Sequence, residues 1–348
     1  MTILALETSC DDTCAAVVDG DGTIRSNVIS SQRAHDRFGG VVPEIASRHH
    51  LELVNVVVDQ ALAEAGLALD DVHTVAATQG PGLVGALLVG FSTAKALAAA
   101  RKLPFAAVDH LQGHVAANFL LPEGNGGGDA FEPPFLCLIA SGGHTLLAHV
   151  SHRDGFDTLG RTLDDAAGEA FDKGARMLGL GFPGGPVLSR LAAAGDPQAF
   201  EFPSSGSRSR GGRSATSAFA RSLDFSFAGL KTSLLYQLRE LTDEEQQRRA
   251  PDLAASYQSA IVDHLMLRVS QALELTGMDR LAVGGGVAAN QELRRRLAAL
   301  PNVTVHIPPP VLCTDNAAMI ASAARFSPTL SYPDYLSLDA YATGERPC

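Results

Sequence analysis

The sequence has little of what marks a membrane or secreted protein. It contains no run of about eighteen uncharged apolar residues, and Met1 leads into the strand-like ILALE instead of a basic region followed by an apolar core. Its five cysteines are an odd set without a CxxC pair, which argues against a disulfide framework and against a cysteine zinc site. We therefore predict a cytoplasmic protein without a membrane contact.

An excess of positive charge is also absent. Acidic residues outnumber Lys and Arg by 38 to 27, which gives a formal net charge of -11. This balance disfavours general binding to nucleic acid, so any such contact requires a local basic patch or a partner protein. The hydrophobic content of 46% over 348 residues is ordinary for a packed protein, and the length predicts two domains.

Strand and helix patterns alternate along the chain, which indicates an α/β layer fold. An opening hairpin, TILALETSC followed by CAAVVDG, is repeated in design by FLCLIASGGHTLLAHV, and the repeat suggests a duplicated domain. Helices are predicted at 44–65, at 84–101 and, broken by Pro251, at 243–276. A last helix is predicted in TDNAAMIASAARF, with Thr314 or Asp315 at its N-terminus.

The spacing of His110 and His114 places two imidazoles on one helical face, near enough to bind one metal ion. Two capped or half-exposed histidines are the alternative. The zinc peptidase motif has a glutamate directly after the first histidine as general base, and Leu111 occupies that position here. Peptide hydrolysis by that mechanism is therefore disfavoured.

Two glycine-rich turns follow strands. SGGHT at 141–145 lies in the turn of the second hairpin, and GGGVAAN at 284–290 follows the strand LAV. Glycines let backbone N–H groups approach phosphate oxygens, and three in succession let a base or sugar lie against the backbone. A tight turn without a ligand would also use Gly-Gly, so the first turn by itself leaves both interpretations open. Neither turn is a P-loop or a GxGxxG motif.

An acidic segment, DDAAGEAFDK, lies between these turns. Its pattern predicts a helix with Asp165, Glu169 and Asp172 on one side. These acids form either a solvated face or a site that receives ribose hydroxyls.

Ten stretches occur in the order found in one known family: ETSCDDT, VPEIASRHH, TQGPGLVGALLVG, DHLQGH, SGGHT, LDDAAGEAFDK, FPGGP, DFSFAGLKT, GGGVAAN and CTDNAAMIA. By these motifs the chain resembles the TsaD/Gcp family of tRNA N6-adenosine threonylcarbamoyltransferases from residue 3 to about residue 325. Family members transfer the threonylcarbamoyl group from threonylcarbamoyl-adenylate to N6 of adenosine 37 in tRNAs that read codons beginning with A, and they release AMP.

The resemblance implies an actin-like α/β fold, the fold of sugar kinases and chaperone ATPases, with two duplicated RNase H-like lobes and a central cleft. We assign residues 1–115 to the N-terminal lobe, together with a C-terminal helix at about 314–348. Residues 116–313 are assigned to the C-terminal lobe.

The resemblance also implies the site residues. One divalent metal per subunit is expected at His110, His114 and Asp315, and this mixed N/O set suits Fe²⁺ and also Zn²⁺. Adenylate binding is expected at Ile139, Ala140, Ser141, Gly142, Gly143, Asp172, Gly185 and Asn290. No side chain stands out as a general base, and Asp12 stands where glutamate is common in the family.

Two other functions remain as alternatives. One is a metallopeptidase of the O-sialoglycoprotein endopeptidase type, which Leu111 disfavours. The other is an ATP-hydrolysing module or sugar kinase of the same fold, which would depend on carboxylates around magnesium and would lack the HxxxH and Asp set.

The Ser/Gly/Arg-rich segment at about 205–222 is longer than in the family. Its arginines are interpreted as a contact for the tRNA backbone or as a solubilising linker: Arg208, Arg210, Arg213 and Arg221.

The helix predicted at 84–101 is apolar on nearly all sides, so it is either buried in its own lobe or half of an interface. Bacterial family members pair through this lobe with a TsaB-like paralogue and with a TsaE-like ATPase. We expect the same partners here, with a homodimer when they are absent. Arg at Ala94 or Ala98 is expected to break this association and to leave the lone subunit folded.

Overall fold

The computed structural model describes residues 1–121, 131–203 and 222–342. The chain divides into two compact units. The first contains the described residues of Met1–Pro133, Ser151–Phe156 and Val311–Cys348, and the second those of Pro134–Val150 and Asp157–Pro310.

The first unit is built on a mixed five-stranded sheet. Its strands are β1 (Thr2–Glu7), β2 (Asp12–Asp19), β3 (Ile24–Ser31), β4 (Thr74–Gly80) and β5 (Phe105–Asp109), in the order β3-β2-β1-β4-β5. Strands β1, β2 and β3 are antiparallel neighbours, whereas β1, β4 and β5 run parallel. The carboxyl ends of β1, β4 and β5 therefore meet at one edge of the sheet.

Four helices accompany this sheet: α1 (Pro43–Glu64), α2 (Val84–Arg101), α3 (His110–Ala116) and, after the second unit, α10 (Ala317–Ala324). Helix α10 is buried along its whole length and packs on α3 and β1. An all-apolar helix of this kind is stable only in a core, where it has neighbours on every side.

The second unit repeats the design. Its sheet has the order β10-β9-β6-β7-β8, formed by β6 (Phe135–Ala140), β7 (Thr145–His152), β8 (Gly155–Arg161), β9 (Arg280–Gly284) and β10 (Thr304–His306), and only the ends of β7 and β8 within Ser151–Phe156 are assigned to the first unit. Counted from its own hairpin, this is the same strand order as in the first unit, with β6 and β7 antiparallel and with β6, β9 and β10 parallel. The predicted actin-like α/β fold with a duplicated lobe is therefore confirmed.

Within the described residues, the remaining α-helices are α4 (Ala167–Met177), α5 (Gly184–Ala192), α6 (Ala228–Arg239), α7 (Asp243–Thr276), α8 (Gln291–Ala298) and α9 (Pro310–Cys313). Helix α7 has the predicted ends, but it continues through Pro251. The proline removes one helical hydrogen bond, and the fully buried Leu253 and Tyr257 hold the helix on the core. The predicted break at Pro251 is therefore wrong.

The first unit is longer than the predicted first segment of the N-terminal lobe. The first unit continues past residue 115 to Pro133. Its continuation packs on α10, because the hydroxyl of Ser322 donates to the carbonyl of Ala116 at 2.7 Å and the ring of Phe119 contacts that of Phe326.

Helix α2 has the predicted bounds and a buried inner face. By length and composition it is apolar enough to cross a membrane, a test that core helices also pass. Ala94 and Ala98 have no exposed surface and belong to the core cluster with Phe91 and Phe105. The expectation that arginine at either alanine leaves the subunit folded is therefore wrong, since a guanidinium has no room there.

Candidate metal centre and nucleotide-binding turn

The two histidines lie on α3, which begins directly after β5. Asp109 caps this helix, because its Oδ1 accepts hydrogen bonds from the backbone N–H groups of Leu111 at 2.8 Å and Gln112 at 3.1 Å. The hydroxyl of Tyr341 donates to the other oxygen of Asp109 at 2.6 Å. The cap starts the helix at His110, so His114 follows one turn later with its ring centroid 4.8 Å away.

Asp315 completes the cluster from the opposite end of the sequence. Asn316, not Thr314 or Asp315, caps α10, since its side chain accepts from the N–H of Met319 at 3.0 Å. The predicted cap is therefore wrong by one residue or more. Oδ1 of Asp315 instead lies 3.3 Å from Nε2 of His114 and 3.6 Å from Nε2 of His110.

These three side chains suit a divalent metal. Their potential ligand atoms all lie within 4.8 Å of one another, and atoms bound at about 2.1 Å to a tetrahedral ion are separated by about 3.4 Å. His114 is fully buried, and among the described residues neither of its ring nitrogens has a hydrogen-bond partner. An ion at this position would satisfy a buried polar atom that is otherwise costly.

The sequence did not predict a fourth residue of this cluster, a carboxylate that contacts His110. Glu7, at the end of β1 and 1% exposed, lies with Oε2 3.1 Å from Nδ1 of His110. Its carboxylate also accepts from the backbone N–H of Ser9 and from the hydroxyl of Thr78 at the end of β4. The ETSCDDT motif contains Glu7, but the pairing with a histidine 103 residues away depends on the sheet order.

The carboxylates control the protonation of His110 in the metal-free site. Burial by itself lowers the pKa of His110, but Asp315 and Glu7 outweigh it and raise the pKa to about 9. Burial by itself raises the pKa of Glu7, because it disfavours the charged carboxylate. The attraction of His110 outweighs burial, so the pKa of Glu7 is lowered from its ordinary value. A histidine that binds a metal must be neutral, so a metal at this site would displace a proton from His110.

The turn of the second hairpin lies between β6 and β7. Ile139 and Ala140 end β6 and are fully buried, and Ser141 is 7% exposed. The N–H of Ser141 donates to the carbonyl of His144 at 2.8 Å, which closes the turn and leaves Gly142 and Gly143 exposed.

Neither glycine of this turn is required by the fold of the described chain. A Cβ at Gly142 or Gly143 would meet no described atom within 4 Å, and neither residue has the positive φ that favours glycine. Gly285 in the GGG turn is different. It has φ +85, and a Cβ there would come within 2.3 Å of the carbonyl of Ala140, so its glycine is explained by packing.

Asp172 and Gly185 lie together. Oδ1 of Asp172, on α4, accepts from the N–H groups of Gly184 at 2.8 Å and Gly185 at 3.2 Å at the start of α5. The other two predicted acids have a different partner, because Asp165 and Glu169 both form ion pairs with Lys173. Asp172 therefore contacts the start of α5, whereas Asp165 and Glu169 pair with Lys173.

The side chain of Asn290 is engaged inside the protein. Its oxygen caps α8 by accepting from the N–H of Leu293 at 2.9 Å. Its nitrogen donates to Ser189 Oγ at 3.0 Å and to Gln258 Oε1 at 2.8 Å. These bonds join α5, α7 and α8. The arginines proposed for tRNA, Arg208, Arg210, Arg213 and Arg221, lie outside the described residues.

Comparison with known proteins agrees with these motifs. The sequence model of the family TsaD: tRNA N6-adenosine threonylcarbamoyltransferase matches residues 23–322. The tRNA N6-adenosine threonylcarbamoyltransferase of Geotalea uraniireducens is 50% identical over 325 residues, which are 92% of this chain and 90% of that protein. The one of Pelobacter propionicus is 48% identical over 347 residues, 99% of this chain and 97% of that protein.

A solved structure is similar in fold alone. Component A of (R)-2-hydroxyglutaryl-CoA dehydratase from Acidaminococcus fermentans superposes with a TM-score of 0.54 at 15% identity, over 94% of this chain and 97% of that one. Sequence identity of about one half over nearly the full length is decisive for the family. The chain belongs to the TsaD family of tRNA N6-adenosine threonylcarbamoyltransferases.

Proposed function

We propose that the chain transfers the threonylcarbamoyl group from threonylcarbamoyl-adenylate to N6 of adenosine 37 in tRNAs that read codons beginning with A, in the cytoplasm. N6 attacks the carbamoyl carbon and releases one proton to solvent, the bond from that carbon to the phosphate oxygen breaks, and AMP leaves. The observation that carries the proposal is the cluster of Asp315 with the buried His110 and His114 in a member of this family.

His110, His114 and Asp315 would hold one divalent metal, and we propose Fe²⁺, with Zn²⁺ as the other ion that suits the donor set. When bound, the ion supplies a Lewis acid for an anionic oxygen of the donor. The buried histidines exclude water from one side of the site, and Asp109 and Tyr341 fix the helix that carries them.

The turn of Ser141, Gly142 and Gly143 is proposed to bind the adenylate. The two glycines have no internal reason to be glycine in the described structure, whereas close approach of a ligand to their backbone N–H groups would be one. Asp172 and Asn290 are proposed to support this site: Asp172 accepts from the N–H group of Gly184 at the start of α5, and Asn290 joins α5, α7 and α8.

The outer face of α1 and α2 is proposed to bind a TsaB-like paralogue, with a TsaE-like ATPase joining the complex and a homodimer forming without them. Leu51 and Val56 of α1 are 68% and 56% exposed, and Val84 and Leu88 of α2 are 42% and 40% exposed. Apolar side chains grouped on two adjacent helices are typical of an interface.

The test is reconstitution with threonylcarbamoyl-adenylate and unmodified tRNA, followed by nucleoside mass spectrometry, with and without the partner subunits. We expect threonylcarbamoyladenosine and AMP in equal amounts, and none with His114→Ala. Gly142→Ala and Gly143→Ala should weaken adenylate binding, whereas Gly155→Ala, at an equally open position at the start of β8, should not.

A peptidase assay with the zinc-loaded chain is the control for the rival function. Leu111 follows the first histidine, and Glu7 is held by three contacts instead of facing the ion, so no cleavage is expected. Lack of transfer with all partners present would contradict the proposed function.

A further inference from the structure

The carboxylate of Glu7 is placed to control which nitrogen of His110 binds the metal. We propose that Glu7 is a positioning residue that keeps the proton of His110 on Nδ1 and leaves Nε2 for the ion. The inference rests on the metal site proposed above and concerns a residue outside the proposed ligand set.

The sheet brings the three groups together. Glu7 ends β1, Thr78 lies near the end of β4, and His110 follows β5 directly, so all three occur at the carboxyl ends of adjacent parallel strands. Glu7 is 1% exposed and His110 is 4% exposed, so water does not compete strongly for their contact.

The two nitrogens of His110 face different groups. Nδ1 lies 3.1 Å from Oε2 of Glu7 and 3.2 Å from the hydroxyl of Ser9, whereas Nε2 lies 3.6 Å from Oδ1 of Asp315. An ionised carboxylate only accepts hydrogen bonds, so the nitrogen that faces Glu7 carries the proton. A neutral imidazole protonated at Nδ1 presents its lone pair at Nε2, toward Asp315 and His114.

The isosteric change Glu7→Gln reverses this arrangement. The N–H of Ser9 donates to Oε1 of Glu7, and a backbone N–H can only donate. The oxygen of a glutamine must therefore stay opposite Ser9, and its NH₂ group must take the position of Oε2, beside Thr78 and His110. That NH₂ group donates to Nδ1, which forces the proton of a neutral His110 onto Nε2, where it blocks the metal.

Thr78→Val is the matched control. It removes a hydroxyl from the same carboxylate and leaves the charge and the contact with His110 in place. Volume and burial change little in both variants, but Glu7→Gln also removes a negative charge near the metal site, so the NMR spectrum, and not the difference in Zn²⁺ affinity alone, reports on the tautomer.

The experiment measures Zn²⁺ affinity of the full chain by competition with a chromophoric chelator, and urea unfolding confirms that each variant folds. Glu7→Gln is expected to bind Zn²⁺ about 10–100-fold more weakly than wild type, and Thr78→Val much less so. ¹⁵N NMR of labelled histidine in the zinc-loaded wild type should show a proton on Nδ1 of His110 and zinc on Nε2.

The outcomes separate this inference from the metal site itself. Wild-type protein without stoichiometric Zn²⁺, or with Zn²⁺ that survives His114→Ala, would remove the metal site. Zn²⁺ binding that is equal in wild type and Glu7→Gln would overturn only the role of Glu7. If Glu7→Gln does not fold, the wild-type spectrum decides, because ligation through Nδ1 of His110 is incompatible with the inference.

Discussion

Gly90 of α2 is the point where that helix touches the loop after β1, and Gly90→Ala is expected to disturb both stability and the metal site. A Cβ at Gly90 would lie 2.4 Å from the Oγ1 of Thr8. That hydroxyl donates to the carbonyl of Ala86 at 2.8 Å and accepts from the N–H of Gly90 at 3.1 Å. Gly85, on the same helix, is the control, because a Cβ there would lie 3.6 Å from Ser47, an ordinary contact.

The magnitude follows from these distances. Gly→Ala inside a helix stabilises by about 0.5–1 kcal/mol, and Gly85→Ala, in the first turn of α2, should show at most this gain. At Gly90 the same gain is outweighed by about 1–3 kcal/mol for displacing Thr8 and by about 1–3 kcal/mol for breaking hydrogen bonds of a buried hydroxyl. The free energies of unfolding of the two variants should therefore differ by about 2–6 kcal/mol, with Gly90→Ala the less stable.

Urea unfolding of the two variants and the wild type at one pH is the assay, combined with Zn²⁺ titration. Thr8 lies between Glu7 and Ser9, so Gly90→Ala should also weaken Zn²⁺ binding, whereas Gly85→Ala should not. Equal stability of the two variants would refute the contact between Thr8 and α2.

Four further predictions follow from the described residues. Removing the metal should lower the free energy of unfolding by about 2.7 kcal/mol relative to protein at a hundredfold excess of free metal over the Kd, measured by calorimetry with and without chelator; His114→Ala should show no metal-dependent shift. Leu88→Arg should abolish association with a TsaB-like partner in light scattering and change the stability of the lone subunit by less than about 0.5 kcal/mol, whereas Ala94→Arg should unfold it. Burial, together with nearby carboxylates, raises the pKa of Asp12 from 3.8 to about 7, so ionisation of Asp12 destabilises the folded state. The free energy of unfolding of the metal-free protein, measured by urea unfolding, should therefore fall by on the order of 1–3 kcal/mol between pH 4 and 7. Asp12→Asn should remove that part of the decline. Asn290→Ala should lower stability by about 1–2 kcal/mol through the lost cap of α8 and leave Zn²⁺ affinity unchanged, and a matching loss of Zn²⁺ would contradict the internal role of Asn290.

Much of the local structure could be predicted from the sequence. The apolar pattern of α2 predicted its ends at residues 84 and 101, and the spacing of His110 and His114 predicted two imidazoles one helical turn apart. Such features depend on neighbours three or four residues away, so periodicity and turn residues are sufficient. The N-cap of α10 was harder to predict. Thr314, Asp315 and Asn316 are all suitable capping residues, and only the backbone conformation decides among them.

The sequence by itself determined the duplicated hairpins, the family and the three candidate ligands of the metal. Tertiary structure alone decided that Ala94 is buried, that the amide of Asn290 is engaged by α5, α7 and α8, and that Glu7 faces His110. These facts depend on which strands are neighbours and which helix faces meet, and partners such as Glu7 and His110 are 103 residues apart in the chain. No local pattern encodes such a contact, because β4 must first be inserted between β1 and β5 to bring the two side chains to one edge of the sheet.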